Sequence, residues 1–247
     1  EYIIRKLQFR TEDTVIPGGR YHNTKDFMGF PDVGRKELKN EHLEDIDYKP
    51  FDRSNSLFKV IKEKDHLLHF PYHSFHYFID LLREASIDPK VTEIKITLYR
   101  VAKNSSVVHS LLNAIKNGKE VTAVVELQAR FDEEANIYWS DKLREEGARV
   151  IYGVKDLKVH AKLCSITRVE NKREVHYACA GTGNFNEDTT NTFSDHLLFT
   201  FDRKITREIN RVFNFFEHNY DISFFRRLIV SPFFLRRRIM KLIEQEM

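Results

Sequence analysis

The feature that most constrains the fold of this chain is the alternation of strand-like and helix-like segments through its middle. The segments are, in order, a strand at 91–99, a helix at 107–116, a strand at 120–126, a helix at 133–146, and strands at 149–152, 161–168 and 175–180. The two helices end at Gly118 and Gly147, and glycine commonly follows the last helical turn. Strands that alternate with helices of this length are typical of an α/β domain with a mixed, partly parallel sheet.

Further segments flank this region. They are, in order, strands at 57–60 and 66–70, an amphipathic helix at 75–85 that Ser74 caps, and helices at 205–216 and 235–245. Residues before about 50 are polar and irregular, which indicates the tail of a preceding domain. Because the chain begins at Glu1 and ends in a helical pattern, we expect an internal piece of a longer protein.

Composition restricts where an anion could bind. The 40 basic residues are nearly matched by 37 acidic ones, so the net charge is only +3 and any anion site must be local. The sequence has no run of about 18 apolar residues and no secretion signal. We therefore expect a cytoplasmic protein without a membrane span, with peripheral membrane association left open. The two cysteines, Cys164 and Cys179, are not spaced for a disulfide framework or a zinc site.

The pair His160 and Lys162 is the most informative local pattern. It lies at the start of a predicted strand, where alternate side chains share a face, so both groups are expected on one side. A neutral imidazole can attack phosphorus, and a neighbouring lysine stabilises phosphoryl oxygens as they gain charge. Further along is a glycine turn, Gly181-Thr182-Gly183-Asn184. Its glycines would let backbone N–H groups approach an anion closely, and Asn184 would add a side-chain donor. These residues predict a phosphoryl-transfer pocket.

His-x-Lys followed by Gly-x-Gly-Asn resembles the pattern of the phospholipase D superfamily. The aspartate of that pattern is missing at 165–168, and only one half-motif is present. Longer runs make the resemblance narrower. Residues 96–100, 125–136 and 152–186 are similar to the polyphosphate kinase family, and the similarity extends over the whole chain.

This resemblance implies a fold and a domain order. Residues 1–46 resemble the tail of the family's helical domain, residues 47–227 its first phospholipase-D-like catalytic domain, and residues 228–247 the start of the second. The expected fold is α/β, a phospholipase-D-like mixed sheet flanked by helices, with remnants of neighbouring domains at both ends.

The resemblance also implies an activity. Members transfer the terminal phosphate of ATP reversibly to inorganic polyphosphate through a phosphohistidine, which assigns the phosphate to His160. Lys162 and Asn184 would stabilise the transferring group. Arg100 and Arg130 match arginines that the family uses around the phosphate chain and Mg²⁺. Since arginine has no lone pair to give, we expect both to bind phosphate oxygens, with Mg²⁺ near them bridged by those phosphates. The piece alone is expected to be incomplete for activity.

Three more positions bear on the site. Phe193 stands where a nucleotide-contacting tyrosine is usual, so it could stack on adenine but not donate a hydrogen bond. Cys179 stands where some members have a histidine. From its chemistry alone, Asp195 is a candidate to hold the second ring nitrogen of His160, as a carboxylate does in a catalytic triad.

Ordinary structural roles compete with some of these assignments. Arg100 and Arg130 could form surface ion pairs, although their place at strand ends favours phosphate binding. The acids at 132–134 are expected to cap a helix rather than bind metal. The basic residues of 236–241 are either a solvated helix face or a path for a polyanion. The aromatic residues between 213 and 234 are expected at a domain interface.

Two other classes of function stay open. One is a phospholipase D superfamily phosphodiesterase or nuclease that completes its site by dimerising, and the other is a non-catalytic polyanion-binding module. For the kinase we expect ATP, ADP and polyphosphate as partners, Mg²⁺ as cofactor, no nucleic acid, and a homo-oligomer of the full-length protein. A phosphodiesterase would need no nucleotide, whereas a binding module would hold polyphosphate even without His160.

Overall fold

The computed structural model describes residues 2–9, 29, 31, 33–38, 44–52, 55–126, 133–220 and 224–247. The chain divides into two compact units, Glu1–Leu43 and Glu44–Met247. In the first unit, the described residues include helix α1 (Tyr2–Lys6) and a 3-10 helix at Lys36–Leu38. The second unit contains the sheet and the described residues of the candidate site.

The second unit alternates strands with helices, after a 3-10 helix at Lys49–Phe51. Its elements are α2 (Leu57–Glu63), β1 (His66–Phe70), α3 (His76–Ile87), β2 (Val91–Leu98), α4 (Ser106–Lys116), β3 (Glu120–Val125), α5 (Glu133–Glu145), β4 (Arg149–Tyr152), β5 (Lys162–Glu170), β6 (Arg173–Gly181), α6 (Glu187–Thr190), β7 (Asp195–Thr200), α7 (Arg203–Glu217) and α8 (Leu235–Glu246).

The seven strands form one mixed sheet in the order β1-β7-β6-β5-β2-β3-β4. β2, β3 and β4 are parallel, and α4 and α5 connect them. The remaining neighbours, from β2 through β5, β6 and β7 to β1, pair antiparallel. The predicted α/β fold with a mixed sheet flanked by helices is therefore confirmed.

Two predictions of local structure need correction. Residues 57–60, predicted as a strand, lie in helix α2, where Leu57, Phe58 and Ile61 are buried together. A short apolar run does not distinguish a strand from one helical turn, and burial on one helix face decided the outcome here. Strand β7 was not predicted. Its pairing partners on β1 lie far away in sequence, so local pattern carries little of the information that specifies it.

The core lies on both faces of the sheet. Helices α2 to α5 pack on one face, where residues such as Phe78, Leu111 and Leu143 are fully buried. Helix α7 packs on the other face through a second cluster that includes Ile209 and Phe213. Strand side chains divide between the clusters by alternation, as a sheet covered on both faces requires.

The second cluster changes the interpretation of the aromatic residues near the end of the chain. Phe213 and Phe225 are buried within it, and Phe234 packs against it, so the expectation of an interface is wrong for these residues. They pack where α7 and the following segment cover the sheet. Phe224, by contrast, is 63% exposed.

Other surface and core features follow the same layout. The free thiols Cys164 and Cys179 are buried and lie opposite each other on β5 and β6.

Helix α8 exposes three basic residues, Arg236, Arg237 and Arg238, and their role stays a prediction. Within the described part of the chain, no helix is both long and apolar enough to cross a lipid bilayer.

Candidate active site

The sheet brings four strand ends to one edge. β5 begins at Lys162 and pairs with Gly181, the last residue of β6. Because β7 runs antiparallel to β6, its first residue, Asp195, lies at the same edge. β2 runs antiparallel to β5, so its end at Leu98 and the following Arg100 also lie there. The residues predicted for phosphoryl transfer therefore share one edge of the sheet.

His160 and Lys162 converge on the ring of Tyr99. The His160 ring meets it edge-on at a centroid distance of 4.9 Å, and Lys162 Nζ lies 4.9 Å from the same ring centroid. Lys162 Nζ also donates a hydrogen bond to the backbone carbonyl of His160 at 2.5 Å. The lysine is only 5% exposed, whereas the imidazole faces solvent. The imidazole thus lies at the surface beside a buried cation, just before the strand that begins at Lys162.

Hydrogen bonds from neighbouring strands hold this segment. Thr97 Oγ1 donates to the carbonyl of Ala161 at 2.7 Å and accepts the amide of Leu163 at 2.9 Å. The buried carboxylate of Glu126 accepts the amide of Val159 at 3.0 Å. The backbone is therefore fixed immediately before and after His160.

The strand ends beneath this segment are joined by Asn136. Its amide nitrogen donates to the carbonyls of Tyr99, at 2.8 Å, and Glu126, at 3.0 Å. Its side-chain oxygen accepts the amide of Val101 at 3.1 Å. This fully buried side chain positions the ends of β2 and β3, and with them Tyr99 and Arg100.

Positive charges surround the imidazole. Lys158 Nζ lies 5.4 Å from the centroid of the Tyr99 ring, on which His160 also packs. Partial desolvation against the Tyr99 ring and the surrounding backbone, then the charges of Lys162, Lys158 and Arg100, hold the pKa of His160 below its ordinary value. The imidazole is therefore neutral, and able to act as a nucleophile, at a lower pH than a free histidine.

The charge on Lys162 is also sensitive to its surroundings. Burial lowers the pKa of Lys162 to about 8, with Asp195 raising it and Arg100 lowering it. The ammonium is the charged form, so it is retained below about pH 8 and lost above. Asp195 acts to keep this lysine protonated.

The glycine turn after β6 packs directly against Asp195. Thr182 Oγ1 donates to Asp195 Oδ1 at 2.8 Å and accepts the amide of His196 at 2.9 Å. The amide of Thr182 donates to the carbonyl of His196 at 3.0 Å. The turn and the start of β7 therefore form one hydrogen-bonded unit around the carboxylate.

The role expected for Asp195 differs from the contact observed. Among the described residues, Asp195 makes its side-chain hydrogen bond with Thr182 and none with His160. Its electrostatic effect falls on Lys162 instead. The triad-like partnership with His160 stays a prediction.

Asn184 and Phe193 lie beyond the turn. Asn184 is partly buried, and within the described part of the chain its Oδ1 is a buried atom without a hydrogen-bond donor. Phe193 precedes β7 and is 55% exposed, so its ring is available for stacking. Their predicted roles toward phosphate and adenine stay predictions.

Cavities flank this edge of the sheet. One of about 540 Å³ lies beside the segment before His160 and is lined by residues that include Tyr152, Lys155 and Lys158. Another, of about 700 Å³, is lined by residues that include Arg100 and Lys103. Each is lined by a cation whose charge acts on His160, Lys158 in the first cavity and Arg100 in the second. Arg130, the other predicted phosphate ligand, lies outside the described residues, as does Asp132.

A directly bound Mg²⁺ would need oxygen ligands from the protein. The described ranges contain no group of three histidine, cysteine, aspartate or glutamate side chains able to hold a metal ion. Glu133 and Glu134 open helix α5, as expected for acids at a helix start. The described residues therefore do not form a metal site of their own, and Mg²⁺ bridged by phosphates stays a prediction.

Comparison with known proteins assigns the family. A family model described as Polyphosphate kinase C-terminal domain 1 matches residues 56–222, more than half of the chain. The chain belongs to the polyphosphate kinase family. The family suggested by the sequence motifs is thus confirmed.

Individual members of the polyphosphate kinase family match the whole chain. It is 49% identical over 246 residues to the polyphosphate kinase of Yersinia pestis, covering 100% of this chain and 36% of that protein. The crystal structure of polyphosphate kinase from Porphyromonas gingivalis matches with a TM-score of 0.78 and 36% identity, over 98% of this chain and 40% of that one. The phospholipase D family member Nuc from Salmonella typhimurium matches at a TM-score of 0.48 and 15% identity, over 64% of this chain and 93% of that one. The chain thus spans little more than a third of the curated relatives' length.

Several residues of the site were not predicted as site residues. Tyr99 and Thr97 lie within the run 96–100 that resembles the family, but no role was assigned to them. Glu126, Asn136 and Lys158 were also missed. A buried polar residue at the end of an apolar strand was the available signal for Thr97 and Glu126.

Proposed function

We propose that the protein containing this chain is a polyphosphate kinase that transfers the terminal phosphate of ATP reversibly to inorganic polyphosphate through phosphorylated His160. The observation that carries the proposal is a solvent-facing imidazole beside a buried lysine, with a pKa held below its ordinary value by partial desolvation and three neighbouring cations. Family membership supports the substrate class. Because this chain is only part of its relatives, the activity is proposed for the full-length protein.

The first step forms a bond between a ring nitrogen of His160 and the γ-phosphorus of ATP. The bond from that phosphorus to the β–γ bridging oxygen breaks, and ADP leaves with the electron pair. The proton on the other ring nitrogen passes to water, since the imidazole faces solvent. In the second step a terminal oxygen of polyphosphate attacks the phosphorus, and the P–N bond breaks with its electron pair going to the ring nitrogen. A proton from water restores the neutral imidazole, and the chain is one phosphate longer.

The surrounding residues assist by holding charge in place. Lys162, fixed on the Tyr99 ring, would stabilise negative charge that develops on the transferring group. Arg100 would bind the flanking phosphates, and Asn184 would add a neutral donor. Mg²⁺ brought by the phosphates would offset their charge, and the described residues supply no separate site for it.

The domain assignment belongs to the same proposal. Residues 47–227 would form the first phospholipase-D-like catalytic domain, flanked by the end of a helical domain at 1–46 and the start of a second catalytic domain at 228–247. Limited proteolysis of the full-length protein tests these boundaries, since cleavage concentrates at exposed domain junctions.

The activity is tested on the full-length protein with radiolabelled ATP. Wild type should produce acid-insoluble polyphosphate in an ATP-dependent reaction, and His160→Ala should produce none. Hydrolysis of a model phosphodiester without nucleotide, combined with no polyphosphate synthesis, would favour a phosphodiesterase instead. Polyphosphate binding without either reaction would favour a binding module.

A further inference from the structure

A second basic cleft lies away from the candidate active site. It has a volume of about 490 Å³ and is formed by the start of β6 and one face of α7. The charged and titratable residues that line it are Arg173, Glu174, His176, Arg203, Arg207 and Arg211. The lining thus contains four guanidinium groups and one carboxylate, although the overall charge of the protein is almost balanced.

Three of the arginines form a row. Arg203, Arg207 and Arg211 are four residues apart on α7, so they share one face of the helix. At about 1.5 Å rise per residue, the row extends for roughly 12 Å. A row of this length matches an extended anion with many charges better than a single phosphate.

These arginines have few partners within the protein. Among the described residues, Arg173, Arg203 and Arg207 make no ion pair and no side-chain hydrogen bond, whereas nearby Arg168 on β5 is bound by Asp88 and Glu170. Arg211 donates to the carbonyl of Phe224 at 2.9 Å, which leaves its remaining N–H groups for other acceptors. The charge of the cleft is therefore not neutralised by the chain itself.

The lining of the cleft also contains a donor without an acceptor. Asn210 Oδ1 accepts a hydrogen bond from Ser165 Oγ at 2.8 Å. The Nδ2 atom of Asn210 is buried and has no acceptor within the described residues. Because Nδ2 is buried, it does not itself reach a ligand, and the preference of the cleft for an acceptor-rich ligand rests on the arginines.

The cleft is separate from the pocket around His160. It includes His176, which lies five residues before Gly181 on β6, and Gly181 is at the active-site edge. At about 3.4 Å per strand residue, the two positions are roughly 17 Å apart, and Arg173 is further still. A ligand that reaches both places must be a long chain.

We infer that this cleft is a second, non-catalytic binding site for linear polyphosphate, which holds the chain at a distance from its reacting end. Guanidinium groups bind phosphate oxygens bidentately, and a row of them suits a repeating phosphate polymer. The choice of polyphosphate rests on the proposed function, whereas the anion cleft itself does not.

Fluorescence anisotropy with labelled long-chain polyphosphate tests this inference on the full-length protein, without nucleotide. Arg203→Gln/Arg207→Gln should bind about tenfold more weakly than wild type. Its affinity should also depend less on salt, with a slope of log affinity against log salt concentration that is smaller by about 1 to 2. Binding of tripolyphosphate to the active site should change much less, because it cannot span the two sites. Arg203→Lys/Arg207→Lys, which keeps the charge, should lose less affinity.

Lys59→Gln/Lys64→Gln is the matched control. It removes the same number of positive charges, one within α2 and one at the residue that follows it. Helix α2 packs on the opposite face of the sheet, so this variant should bind as wild type does. Equal affinity of the arginine variant and this control would overturn the inference, provided that circular dichroism shows both folded. The inference would also be overturned if duplex DNA displaced the labelled polyphosphate at a lower concentration of phosphate groups than unlabelled polyphosphate does. This experiment measures binding and not turnover. Its result can therefore be interpreted even if the full-length protein does not synthesise polyphosphate from ATP.

Discussion

Gly183 lies so close to Asp195 that a β-carbon at position 183 would be 2.2 Å from Asp195 Oδ2. Substitution by alanine must therefore displace the carboxylate, and with it the Thr182 hydrogen bond that joins the turn to β7. Overpacking of this kind commonly costs about 1–3 kcal/mol. The turn therefore has no room for a β-carbon at position 183 unless the carboxylate moves.

The variant Gly183→Ala should reduce autophosphorylation of the full-length protein by about tenfold or more, because it displaces Asp195, which helps to keep Lys162 charged. Quench-flow measurement with radiolabelled ATP gives the rate. In an Asp195→Gly background the same change should cost much less, because the clash is removed. Gly29→Ala, which has no atom within 4 Å of the added carbon, is the control. Equal costs in both backgrounds would contradict the packing argument.

Lys158 should set the acidic limit of the reaction. Because its charge is among the effects that lower the pKa of His160, Lys158→Met should raise that pKa and move the acidic limb of the rate profile to higher pH. The pH dependence of autophosphorylation measures this shift. Lys155→Met, an exposed lysine in the same segment, should leave the limb in place. A limb that moves equally in both variants, or in neither, would argue against the role of Lys158.

Asp195 should set the alkaline limit. The pKa of Lys162 is about 8, and the Asp195 carboxylate raises it, so Asp195→Asn should lower it. The ammonium would then be lost at a lower pH, and the alkaline limb of the pH–rate profile should move to lower pH. The same pH profile measures this change. If Asp195 instead orients His160, the rate should fall at every pH without a movement of the limb.

Thr97 should keep the His160 segment in place. Thr97→Val retains the shape but leaves the carbonyl of Ala161 and the amide of Leu163 without this partner, at a cost of about 1–3 kcal/mol. Peptides covering 159–165 should exchange amide hydrogens faster, and autophosphorylation should slow. Thr97→Ser keeps the hydroxyl and should behave as wild type does. Unchanged exchange in the valine variant would show that the segment is held by other contacts.

Much of the fold could be predicted because the sequence is locally consistent. Strand β3 is a β-branched run, and helices α4 and α5 are followed by Gly118 and Gly147, both with positive φ. Strand β7 and helix α2 were missed or misassigned because short apolar runs depend on their tertiary neighbours. Pairing between residues distant in sequence is what local patterns fail to specify.

The site shows the same division. His160, Lys162 and the glycine turn form a compact pattern whose chemistry can be interpreted directly from the sequence. The contacts of Tyr99, Thr97 and Glu126 could not be foreseen, since they depend on which strand pairs with β5 and where that strand ends. Asp195 was selected for its chemistry, but its observed partner, Thr182, is determined by the β6–β7 register.

Intact-mass spectrometry at alkaline pH shows whether His160 carries the phosphate. The full-length protein is incubated with ATP and Mg²⁺ beside His160→Ala and beside His76→Ala, an exposed histidine on α3. We expect one acid-labile phosphate on wild type and on His76→Ala, and none on His160→Ala. The same phosphate on His160→Ala would show that another residue carries it. Polyphosphate synthesis by a wild type that never gains the phosphate would show that the reaction does not pass through phosphorylated His160.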